Sequence, residues 1–155
     1  PANMSNKQWI ELQGMVGELS LILDRPMRPA WKGLKTITPR MGRIFNLHPS
    51  TMGSFKKAVL LANKVKTLGV KLMIGDDSLV GPACSAWQQI AIGVGALWVE
   101  AIEKKEDSKG YLDCIIKSPT KKESNGYYAL KPAPGFGLEL DENRLKTVCE
   151  LYIDV

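Results

Sequence analysis

A chain of 155 residues, 45% hydrophobic and 24% charged, has the size and make-up of one globular unit with one core. No apolar run approaches the ~20 residues that cross a bilayer, and the longest weakly polar stretch, residues 90–99, holds two glycines. The net charge of +5 is spread over Lys56/Lys57, Lys64/Lys66, Lys104/Lys105 and Lys121/Lys122, with Glu103, Glu106, Asp107 and Glu123 among them; that pattern describes a mildly basic solvated surface and not the one-sided face of a nucleic-acid binder.

The chain opens at Pro1, as a processed, trimmed or partial sequence would, and no basic-then-apolar segment reads as a secretion signal. Cys84, Cys114 and Cys149 are odd in number and far apart, which excludes a CxxC zinc or redox motif. Buried, reduced thiols and a cytoplasmic location are expected.

In chain order, Ser5 or Asn6 caps a first helix whose apolar residues are Trp9, Ile10, Leu12, Met15, Val16 and Leu19. A strand-like run follows at 19–23, a short helix at 30–37 and a second run at 43–47. Ser54 caps a helix with the stripe Phe55, Ala58, Val59, Ala62 and Val65, joined by Leu61 and Leu68, and Gly69 ends it. A third run spans 70–74. Pro82 suits the first turn of an unusually apolar helix carrying Ala86, Ile90, Val94 and Leu97, expected to be covered on both sides.

A fourth run is expected at 111–116. Beyond it come the turn Ser124-Asn125-Gly126, the segment Pro132-Ala133-Pro134-Gly135-Phe136-Gly137, and a last helix capped by Asp141 that packs Leu145, Val148, Cys149 and Tyr152. Strands alternating with helices predict parallel pairing through right-handed crossovers, an α/β layer or barrel. The tail reads as a small β-rich appendage folded back on that layer.

The loops carry a resemblance. Leu21-Ile22-Leu23-Asp24, Ile44-Phe45-Asn46-Leu47-His48-Pro49-Ser50, Gly69-Val70-Lys71-Leu72-Met73-Ile74-Gly75-Asp76 and Leu112-Asp113 resemble, in order, strands five to eight of the enolase superfamily barrel, in its mandelate racemase and muconate cycloisomerase branch. Pro134-Gly135-Phe136-Gly137-Leu138 resembles that family's Pro-Gly-Leu-Gly tail. Each match is a short loop; together they run over nearly the whole chain in the family's order.

The resemblance implies a partial (β/α)8, TIM-like barrel of about four parallel strands over residues 1–117. Residues 118–155 would form a C-terminal β/α appendage packing back on the barrel or a capping region. It also implies that Pro1-Ala2 follows a fourth strand lying outside this sequence. The family's chemistry is removal of the proton α to a carboxylate, as in racemases, cycloisomerases and dehydratases, with magnesium stabilising the enolate at the C-terminal mouth of the barrel.

On that reading Asp24 is one of three magnesium carboxylates, the other two lying outside this chain. His48 is the catalytic acid or base where the branch carries a lysine. Asp76 and Asp77 orient the substrate or hold a base, and Asp113 contacts the substrate's ammonium or hydroxyl group.

Each residue has a plainer role beside this one. Asp24 fits a loop acceptor or a partner for Arg25 or Arg28. His48 fits a loop histidine bonded to backbone, Asp77 a turn cap, and Asp113 a partner for a neighbouring lysine. The whole chain fits two functional classes, an incomplete magnesium-dependent isomerase or lyase, inactive alone, and a non-catalytic module. Half a barrel would leave sheet edges open, so a homodimer or a partner chain supplying the earlier strands is expected. A small carboxylate is the expected ligand, with neither nucleic acid nor membrane as partner.

Overall fold

Ser5 opens α1 (Asn6–Met15) with a capping box: its hydroxyl accepts from Gln8 N at 3.4 Å, and Gln8 Oε1 accepts from Ser5 N at 2.8 Å. The computed structural model describes residues 3–77, 79, 81–100, 117, 124–127, 129–130 and 132–148. The first helix is shorter than its apolar spacing suggests. It stops at Met15, Gly17 turns the chain at φ 58°, and Met15 and Leu19 stay exposed. Gln13 takes over as the anchor. Its buried amide donates to Leu19 O at 2.8 Å and accepts from Leu21 N at 2.9 Å, tying α1 to the start of the sheet.

The strands are β1 (Ile22–Leu23), β2 (Ile44–Leu47), β3 (Lys71–Ile74) and β4 (Trp98–Val99). They pair in that order, all parallel, with Ile22 opposite Ile44, Phe45 opposite Leu72 and Met73 opposite Trp98. A parallel neighbour needs a crossover, and α2 (Ala30–Thr36), α3 (Phe55–Thr67) and α4 (Gly81–Val94) supply the three. Over the described residues the class is therefore α/β with a four-stranded, all-parallel sheet.

The fourth strand corrects the sequence reading. Residues 111–116, expected to fill that place, lie outside the described residues. The strand beside β3 is Trp98–Val99. Leu97, expected on the helix, lies beyond it: α4 ends at Val94, Gly95 adopts φ 67°, and Leu97 N donates to Leu72 O at 2.9 Å.

Strand side chains alternate between faces. Leu23, Phe45, Leu47, Leu72 and Ile74 all point to the helix layer, where they join Ala58, Leu61, Ala62 and Val65 of α3 in one core. Ser54 caps α3 by accepting from Lys57 N at 3.3 Å, and Gly69 ends it at φ 70°. A methyl on Gly33 of α2 would lie 2.9 Å from Met27 O and 3.0 Å from a Leu61 methyl, so only glycine lets α2 approach this closely. Most of α4 is buried, Gln88 and Gln89 included, as its apolar character predicted.

In the tail, Asn125 Oδ1 accepts from Tyr127 N at 2.9 Å in the expected turn, and Gly137 N donates to Pro134 O at 3.1 Å. Asp141 caps α5 (Glu142–Val148) by accepting from Arg144 N at 3.0 Å. Cys149 and Tyr152, expected on that helix, lie outside the described residues. Phe136 meets Phe55 at the start of α3 with ring centroids 5.2 Å apart, and Phe55 in turn meets Trp87 of α4 at 5.2 Å. Among the described residues no helix is long and apolar enough to cross a membrane.

Candidate active site at the C-terminal rim of the sheet

Parallel strands deliver their following residues to one edge, where α/β folds gather binding groups. Asp24 follows β1, His48 follows β2, and Gly75, Asp76 and Asp77 follow β3. Glu100 follows β4, its backbone N donating to Ile74 O at 2.8 Å. Gly75 N continues the ladder by donating to Leu47 O at 2.9 Å, which holds the starts of the two central loops level. By alternation, Asn46, His48, Met73 and Gly75 share the face turned away from the helices.

His48 and Asp77 come together there. Nδ1 of the imidazole faces Oδ1 of Asp77, and the other carboxylate oxygen accepts from Ser50 N at 2.6 Å. The carboxylate is thus fixed from two sides, by the ring it orients and by the backbone just past that ring. Nδ1 is buried with the Asp77 carboxylate as its polar neighbour; with hydrogen on Nδ1, a neutral ring carries its lone pair on Nε2. Nε2 has no protein partner among the described residues, while the His48 side chain is 20% and that of Asp77 14% exposed. An oriented imidazole at the edge of solvent, with one basic nitrogen turned outward, can take a proton from a docked molecule while the carboxylate steadies the imidazolium.

Gly75 is the floor beneath this pair. A methyl there would sit 2.9 Å from Asn46 Nδ2, 3.0 Å from Asn46 Oδ1 and 3.0 Å from His48 Cδ2. The Asn46 amide and the imidazole therefore lean over the same bare backbone. Asn46 is buried, and its Oδ1 has no hydrogen-bond partner among the described residues.

Asp24 is at the rim but engaged differently. Arg28 grips it with both ends of a guanidinium fork, Nε donating to Oδ1 at 2.6 Å and Nη2 meeting Oδ2. The pairing with Arg28 foreseen as the plainer role is what the fold builds. Asp24 does not fit magnesium in this arrangement: both oxygens already face a fixed cation, and a dication would have to displace it. Among the described residues no group of three carboxylate, histidine or cysteine side chains could hold a metal ion.

Asp76 sits partly buried next to Asp77 in the same loop. Asp113 lies outside the described residues. Two features escaped the sequence reading. Glu100 was hidden because β4 was merged with α4, although Gly95 offered the same helix-ending signal as Gly69. Arg28 was considered only as a partner for Asp24, not as a rim residue that decides what Asp24 can do. No family model matches the chain, and a search of curated proteins gives no match either.

Proposed function

We propose that the chain forms the C-terminal part of an enolase-superfamily-like barrel and that, in place of the inactive fragment expected from the sequence, it acts by itself on a small carboxylate, with His48 removing the proton α to the carboxyl group. The observation that carries this reading is the His48–Asp77 pair at the C-terminal rim of a parallel sheet. Nε2 of His48 accepts the proton, and Asp77 holds the ring and offsets its new charge. Asp77 is on this reading a positioning residue; Asp76, Asp113 and Glu100 are left to contact the substrate. No step is assigned to magnesium, because Arg28 occupies the one expected ligand.

Exchange in heavy water tests it. The chain is incubated with a panel of 2-hydroxy, 2-amino and aryl-substituted carboxylates, and loss of the α-proton signal is followed by NMR. At least one acid is expected to exchange, at a rate that falls roughly 100-fold or more in His48→Asn. If no acid exchanges faster with the native chain than with that variant, the reading fails.

The Asp24–Arg28 pair favours a second reading, a non-catalytic module that self-assembles through its sheet edges. Strands β1 and β4 each have one neighbour among the described residues, and unpaired edges invite association. Association alone fits both readings, so light scattering is paired with the exchange assay: a dimer without exchange activity supports the module, and a monomer counts against it.

A further inference from the structure

Beside the rim, and separate from the His48–Asp77 pair, a cleft of about 490 Å³ opens between the start of α1, the turn at Arg25–Met27 and α2. Arg25, Arg28 and Lys32 line it, and among the described residues no acidic side chain does. Its volume is in the range of small-molecule sites. We propose that this cleft binds a small multivalent anion, a phosphate or diphosphate group.

The donor inventory leads to that class. Arg28 is neutralised by Asp24, which takes its Nε and Nη2. Arg25 and Lys32 make no ion pair among the described residues. Two positive charges in excess therefore face one concavity. Of the neutral side chains around them, the Asn6 amide donates to Thr36 O at 2.5 Å, the Thr36 hydroxyl to Lys32 O at 3.0 Å and the Thr51 hydroxyl to His48 O at 3.1 Å, while Asn3 adds a neutral amide to the lining. The charged part of the lining is donor capacity on cations, with no carboxylate among the described lining residues to compete for it. That is the requirement of a dianion.

The support is also stiff. Pro26 and Pro29 lock the backbone on either side of Met27 and Arg28, and Met27 is fully buried. Little ordering is left for the segment bearing Arg25 and Arg28 when an anion arrives. A proton-abstraction site at His48 requires none of this, so the cleft stands or falls by itself.

Calorimetric titration of inorganic pyrophosphate into the native chain at low ionic strength is the test. Saturable binding to one site is expected. Arg25→Gln and Lys32→Gln should each weaken it roughly tenfold, the usual effect of removing one charge-assisted donor. Lys56→Gln/Lys57→Gln removes two exposed charges from α3 and should leave affinity unchanged. Both lining residues are exposed, so the variants should keep the native melting temperature. Absence of saturable heat overturns the proposal. So does an equal loss in the α3 variant, which would reduce the effect to diffuse surface charge.

Discussion

Gly75→Ala is the sharpest probe of the rim. The added methyl would meet Asn46 Nδ2 at 2.9 Å and His48 Cδ2 at 3.0 Å, whereas non-bonded carbons settle near 3.5–4.0 Å. Each neighbour must retreat by roughly 0.5 Å or more to restore that spacing. Asn46 is buried and has little room, and a retreating His48 ring pulls Nδ1 from the Asp77 carboxylate. Overpacking of this kind costs about 1–3 kcal/mol.

A urea unfolding curve followed by tryptophan fluorescence should then show a midpoint lower by roughly 1 M, with an unchanged slope. Nitrogen NMR of the neutral imidazole supplies a second readout, since the native chain should show hydrogen on Nδ1 and the variant a mixture of tautomers. An unchanged midpoint together with an unchanged tautomer would refute the close approach of Asn46 and His48 over the glycine.

Other perturbations separate the packing from the site. Leu61→Ala empties a fully buried position between α2 and α3, and should cost about 2–5 kcal/mol in the same unfolding experiment. Asp77→Asn should leave the unfolding free energy within about 1 kcal/mol of native while shifting the His48 ring toward the other tautomer; an unchanged ring spectrum would remove Asp77 from its orienting role. Arg28→Met should cost less than about 1 kcal/mol, because Asp24 is 39% exposed and regains water. A larger loss would mean that the pair supports the loop beyond its charge.

Much of the fold is legible in the residues, and the exceptions have physical causes. Ser5, Ser54 and Asp141 announce their helices by short-range hydrogen bonding, and Gly69 ends one by adopting a backbone that other residues avoid. The alternation of strands with helices from β1 to β3 predicts the parallel sheet. The stretch 90–99 defeats the same rules. It is apolar throughout, so helix and buried strand share one composition, and only Gly95 marks the boundary between α4 and β4.

At the site, His48 and Asp77 are each visible as polar residues after an apolar run. Their contact is not, because it depends on two strands lying side by side in register. The fate of Asp24 was open for a related reason. Arg28 is four positions away, a spacing that joins side chains only if the chain turns tightly between them, which it does at Arg25–Met27.

The aromatic contact made by the tail has a consequence for how the chain tolerates shortening. Ending it before Phe136 would leave every observed strand in place, yet further expose the already part-exposed phenylalanine at the first turn of α3, five residues after the Ser50 amide that holds Asp77. The appendage thereby shields the foot of the helix that leads out of the histidine loop. Loss of its ring should be felt first as stickiness, and second as slack at the rim.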